Sequence, residues 1–153
     1  MAGIDFSRLD LRGAFDLAIL IEEEAQLRYQ HFTRLVDGGA LDVFKMMVRN
    51  EAKHREELVS KRDVLFRNEP KRIETSLLDD ADAEAPDPDG VGEHISAREA
   101  LEIALKAEIR AFEFYSKAIP HVKNPEVRKF FEELRDEEVE HQRMLRDKIA
   151  QLG

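Results

Sequence analysis

Two short stretches pair a glutamate with a histidine three positions on. They are Glu51 with His54 in RNEAKHREEL, and Glu138 with His141 in RDEEVEHQRML. Residues three apart share a helix face, so each pair can aim a carboxylate and an imidazole at one point. Both pairs lie on stripes otherwise filled by apolar residues at helical spacing: Val43, Met47 and Leu58 around the first, Leu134 and Leu145 around the second. A carboxylate on a core-facing stripe is costly unless something charged meets it. Two more stripe glutamates precede the pairs. Glu22 lies among Phe15, Ala18, Ala25 and Tyr29, and Glu108 among Ala104, Leu105, Ala111 and Tyr115. Four carboxylates and two imidazoles gathered in a dry core would protonate or bind cations. Two divalent ions would offset the four negative charges. Oxygen and imidazole donors without sulfur suit iron or manganese, with zinc as an occupant in vitro.

A single Glu-x-x-His is an unspecific signal in a chain this acidic. Two such pairs, each on an apolar stripe and each preceded by another stripe Glu, form a specific one. Around these six, Tyr29 and Tyr115 each follow a stripe Glu by seven residues. Two turns along the same face, their hydroxyls are placed to donate to a carboxylate of the opposite helix. Asn50 and Glu137 each stand one residue before a Glu of the pairs. From there each can reach the free ring nitrogen of the histidine across the site and fix its tautomer. His31, His94 and His121 have no carboxylate three residues back and read as surface or loop histidines. Glu23, Glu24, Glu132, Glu133 and Glu140 fit solvated faces.

Four long helices must position these groups. The first is expected over roughly Leu11–Asp37, with Gly38 and Gly39 as its stop. The second runs over roughly Ala40–Asn68, before Pro70. The third begins after Ser96, which forms a capping box with Glu99, and ends at Pro120. Asn124 caps the fourth, with Pro125 at its first position, and that helix reaches about Leu152. Short loops make the first two helices antiparallel neighbours, and likewise the last two.

The linker 69–95, EPKRIETSLLDDADAEAPDPDGVGEHI, is acidic and shows no period. A helix of about 25 residues is roughly 38 Å long, and about 12 extended residues span that. The linker can therefore return along the bundle as a crossover; exchange of hairpins between chains is the alternative. An internal repeat supports two hairpins of one pattern, 11–68 and 96–152. When Glu22 is set on Glu108, Ala18, Ala25 and Tyr29 fall on Ala104, Ala111 and Tyr115. When Glu51 is set on Glu138, His54 and Leu58 fall on His141 and Leu145.

Composition limits the alternatives. The 153 residues suit one domain over 1–153. There is no cysteine, which excludes disulfides, thiolate metal sites and thiol nucleophiles. The net charge of −9 argues against nucleic acid or an anionic membrane surface as a partner. Charged residues make up 37% of the chain, as in long solvated helices. The N-terminal MAGIDFSRLDLRG has no signal-peptide pattern, and FDLAILI is too short to cross a bilayer, so a cytoplasmic, membrane-free protein is expected.

A Glu from each of two helices with a Glu-x-x-His from each of the other two is the ligand rule of di-iron carboxylate bundles. The double motif resembles the ferritin-like superfamily, and within it the rubrerythrin and bacterioferritin groups, across all four helices. The resemblance implies an all-α, ferritin-like four-helix bundle with a long crossover between helices two and three. It implies two iron ions per bundle, bridged by Glu51 and Glu138. Glu22 with His54, and Glu108 with His141, would be the terminal ligands. Rubrerythrins usually carry a rubredoxin domain with four cysteines. This sequence has none, so an external electron donor is expected. Many rubrerythrins have a further Glu in the third helix, and here the position three after Glu108 is Ala111. Bacterioferritins place a haem-ligating Met beside the second-helix Glu. Here it is Ala52, so no haem is expected.

The function this implies is oxidation of Fe(II) by hydrogen peroxide or O₂, as a rubrerythrin-like peroxidase or a ferroxidase, in peroxide scavenging or iron detoxification. The six metal-binding residues would then also be the catalytic ones. A homodimer is expected, with helix exchange as a variant. The alternatives are a non-catalytic iron-delivery or cargo protein, a di-iron oxidase or oxygenase acting on an organic substrate, and a helical scaffold whose carboxylates bind nothing.

Overall fold

The computed structural model describes residues 6–8, 10–67 and 95–152. They form four long helices and two short 3₁₀ turns, Phe6–Arg8 and Ile119–His121, and no strand among the described residues. The helices are α1 (Leu11–Phe32), α2 (Gly38–Phe66), α3 (Ala97–Ala118) and α4 (Pro125–Gln151). The expected all-α four-helix architecture is present. The linker lies outside the described residues up to position 94, as does His94. Ile95 is described, and it packs in the core among Phe44, Leu101 and Leu145.

Most helix ends follow local chemistry. Asp10 accepts a hydrogen bond from the Gly13 amide at 2.8 Å and starts α1. Ser96 Oγ accepts from the Glu99 amide at 3.0 Å, and its hydroxyl donates to the Glu99 carboxylate at 3.1 Å. Asn124 Oδ1 accepts from the Glu126 and Val127 amides at 3.0 and 3.2 Å, with Pro125 opening α4. The first boundary differs from expectation. α1 ends at Phe32, five residues before Asp37, and the chain leaves through a turn at residues 33–35. The Thr33 hydroxyl closes that last turn on the Gln30 carbonyl at 2.6 Å. Gly38 belongs to α2, and its φ of +62° makes the reversal. The two glycines therefore open the second helix. α2 stops at Arg67, which takes the left-handed conformation at φ 45° and bonds back to the Asp63 carbonyl at 2.8 Å.

Side-chain contacts fix the relative directions. Arg55 meets Glu23 and Arg62 meets Asp16, so α1 and α2 are antiparallel. Tyr29 meets Glu108 and Tyr115 meets Glu22, so α1 and α3 are antiparallel as well. It follows that α2 and α3 run parallel, the arrangement that needs a long connection along the bundle. Two apolar clusters fill the interior. One holds Phe15, Leu17, Leu58, Phe114, Phe131 and Leu134. The other holds Phe32, Phe44, Met47, Leu101, Ala104 and Leu145. Glu22, Glu51, Glu108 and Glu138 lie in sequence between the members of these clusters on every helix, and they are buried.

Candidate metal centre

Each helix contributes one buried glutamate from the middle of its apolar stripe. Glu22 of α1, Glu51 of α2, Glu108 of α3 and Glu138 of α4 are 1–2% exposed. His54 and His141 follow one turn after the glutamates of α2 and α4 and are 4% exposed. The structure brings all six together as two groups. Glu22, Glu51, His54 and Glu138 form one; Glu51, Glu108, Glu138 and His141 form the other. Within each group, one ligand atom per residue lies within 4.8 Å of all the others. Glu51 and Glu138 belong to both groups, so the arrangement is two adjoining pockets of donors with two shared carboxylates.

The histidines face the cluster through Nδ1. His54 Nδ1 lies 3.7 Å from Glu22 and 3.9 Å from Glu51. His141 Nδ1 lies 3.5 Å from both Glu51 and Glu108 and 4.0 Å from Glu138. The ring centroids are 6.2 Å apart and nearly parallel. The outward Nε2 atoms have separate partners. His54 Nε2 contacts the Glu137 carboxylate, and His141 Nε2 lies 3.4 Å from the Asn50 carboxamide. The tyrosine hydroxyls donate across the bundle, Tyr29 to Glu108 at 2.6 Å and Tyr115 to Glu22 at 2.8 Å. Tyr29 stacks on Phe44, and Tyr115 packs edge-on against Phe131, so both rings are held by the apolar clusters.

The electrostatics are those of crowded charge in a dry place. Burial, then the neighbouring Glu22 charge, pushes the Glu51 carboxyl well above the usual carboxylate range. Burial also opposes ionisation of Glu22, but contacts with Glu51, His54 and Tyr115 outweigh it and hold that carboxyl low. Burial acts to lower both imidazoles; Glu22 beside His54 and Glu108 beside His141 outweigh it and raise them. Burial and the acceptor carboxylates push both tyrosines well above their ordinary value. Their hydroxyls therefore stay protonated and remain donors.

The donor set fits a pair of metal ions. Glu22 Oε2, Glu51 Oε1, Glu138 Oε2, His54 Nδ1 and His141 Nδ1 are all buried without a hydrogen-bond partner. Native cores seldom leave that many polar atoms unsatisfied in one place. All five belong to residues of the two groups, and all are metal-ligating atom types.

Among the other histidines, His31 is half-buried and His121 is exposed. Glu23 and Glu24 are half-buried rather than freely solvated, and Glu23 accepts from Arg55 at 2.9 Å. One buried ionic contact was not anticipated from the sequence, the pairing of Asp16 with Arg62. A signal existed, since Arg62 follows Leu58 by four residues on the same stripe.

The rubrerythrin family profile matches residues 14–149, nearly the whole of the four helices. No curated protein and no solved structure gives a significant match. With the match spanning the helical bundle and the cluster at its centre, the chain belongs to the rubrerythrin family, as a ferritin-like four-helix domain.

Proposed function

We propose that this protein is a di-iron carboxylate oxidoreductase that oxidises Fe(II) with hydrogen peroxide or O₂. The observation that carries this reading is the pair of buried donor groups sharing Glu51 and Glu138. Glu22 with His54 would hold one ion and Glu108 with His141 the other, with Glu51 and Glu138 in contact with both. Bound iron supplies one-electron redox steps in pairs. Two such oxidations match the two-electron reduction of one hydrogen peroxide to two waters, with uptake of two protons.

The residues of the chain do the rest. The tyrosine hydroxyls hold the terminal carboxylates of the opposite helices. Glu137 and Asn50 hold the imidazole rings so that Nδ1 faces inward. The two apolar clusters keep bulk water from either end of the site. Metal uptake would displace the proton that burial favours on Glu51. We place this reaction in peroxide scavenging or iron detoxification in the cytoplasm. A cavity of about 560 Å³ lies at the bundle end, lined by residues such as Ser7, Asp10, His121 and Lys123. It touches none of the six cluster residues, so it gives no support to an organic substrate beside the metals.

Stopped-flow mixing of the Fe(II)-loaded protein with peroxide or with O₂ tests the reaction. Rapid oxidation that disappears in a Glu51→Ala, Glu138→Ala double variant is expected. A faster reaction with peroxide assigns a scavenger, and a faster one with O₂ a ferroxidase. Tight binding without oxidation by either would replace this reading with metal delivery.

A further inference from the structure

The two halves of the cluster share one plan, although His141 Nδ1 lies within 4.0 Å of both shared carboxylates and His54 Nδ1 only of Glu51. Each half has one unshared glutamate, one histidine facing inward through Nδ1, and both shared carboxylates. Each unshared glutamate accepts one tyrosine hydroxyl, at 2.6 and 2.8 Å. The two imidazoles are equally buried. The groups behind the imidazoles differ. His54 Nε2 has a carboxylate, Glu137, whereas His141 Nε2 has a neutral carboxamide, Asn50. The positions correspond in the internal repeat, one residue before the Glu of each Glu-x-x-His pair, so the asymmetry is a difference of side chain on a symmetric frame.

A carboxylate accepting from the outer N–H makes an imidazole a stronger electron donor at its other nitrogen. It also pins the tautomer, because a carboxylate offers only acceptors. A carboxamide offers a neutral oxygen on one side and an NH₂ group on the other. It can meet either tautomer, and it adds no negative charge behind the ring. The Glu137 side chain is 52% exposed, so its bare charge is screened by water; the directed contact with Nε2 carries the effect.

We propose that Glu137 makes the two metal positions inequivalent, so that the position of Glu22 and His54 binds its divalent ion more tightly and fills first, and the position of Glu108 and His141 fills second. This rests on the dinuclear reading above. It makes Glu137 a positioning residue that acts through His54.

The test is anaerobic calorimetric titration of the metal-free protein with Co(II), a probe that needs no oxidation, with the visible Co(II) absorption recorded at each addition. Wild type is expected to bind in two steps whose affinities differ by about 10–100-fold, the usual weight of such an outer contact. Glu137→Gln keeps the size of an exposed side chain and removes its charge. It should weaken the tighter step and bring the two together, with the looser step unchanged. Asn50→Asp should tighten the looser step. The Co(II) spectrum of the first equivalent should change in Glu137→Gln and also in Asn50→Asp, because in each the first ion divides between two positions of similar affinity. Two equal steps in wild type, or a tighter step indifferent to Glu137→Gln, would overturn the inference and leave the dinuclear reading standing. Failure of wild type to bind Co(II) and Fe(II) alike would overturn both.

Discussion

Glu51 lies against Glu22 and takes part in both donor groups, and burial favours its protonated form. Its folded-state value is raised, as are those of His54 and His141. A raised carboxyl causes no loss of stability while it is protonated in both states. Above the ordinary value of 4.5, the unfolded chain ionises first and stability falls as pH rises. A raised histidine contributes stability fully below its ordinary 6.5, and that contribution is lost as pH rises through the folded value. Glu22, with a lowered value, acts the other way, but its contribution is lost only as pH falls through the acid range below 4.5. The melting temperature of the metal-free protein is therefore expected to fall as pH rises above 4.5, and more steeply once it rises above 6.5. Glu51→Gln should flatten that slope, and metal loading should release protons and bind more tightly at the higher pH. Calorimetry at several pH values, in buffers of different ionisation enthalpy, measures both. At this scale the sequence was informative because all six candidates carry a local signature, a polar group on an apolar helical stripe. Asp16 and Arg62 carry the same signature singly, with no motif three residues away to mark either one.

The helices set these side chains by period, and their ends are set by capping chemistry. Asn124→Ala removes two amide acceptor contacts at the start of α4 and should cost about 1 kcal/mol. Gly38 is different, because a Cβ there would meet no atom within 4 Å, yet its φ of +62° disfavours any side chain. Gly38→Ala should therefore cost about 1–2 kcal/mol through the backbone alone. Leu58, fully buried between the cluster and the apolar residues of α1, should cost about 2–5 kcal/mol on truncation to Ala. Urea unfolding of the metal-free protein measures all three, with unchanged m-values expected. The ends with caps, at Ser96 and Asn124, could be read from the sequence, since the cap and the first helical residue are adjacent. The α1–α2 reversal could not. A glycine pair serves equally as a stop for one helix or the start of the next, and only the backbone angle of Gly38 distinguishes them. The end of α2 at Arg67 was obscured for a related reason, because a non-glycine residue takes the left-handed position there.

At the level of the whole bundle, the helix directions place four carboxylates at one depth, and neither hairpin holds a complete donor group. Each group draws on both hairpins: Glu138 joins residues of α1 and α2 in one, and Glu51 joins residues of α3 and α4 in the other. Metal binding is thus linked to assembly of the two hairpins. A divalent ion at about 100 times its Kd stabilises by about 2.7 kcal/mol, which for a chain of this size is roughly 5–10 °C in Tm. A chelator should reverse that shift, and Glu51→Ala with Glu138→Ala should abolish it. The antiparallel pairing within each hairpin followed from the short loops in the sequence. The long linker predicts the parallel course of α2 and α3, and the contacts of Tyr29 with Glu108 and Tyr115 with Glu22 bear it out. Among the described residues no helix is long and apolar enough to cross a membrane. On the proposed function this interior would hold two metal ions at once, and anaerobic Fe(II) titration of the metal-free protein counts them. Saturation at two Fe(II) per chain, lost in the Glu51→Ala, Glu138→Ala variant with its helix content intact, is the predicted result. Saturation at one ion per chain, or uptake that survives loss of both shared carboxylates, would contradict it.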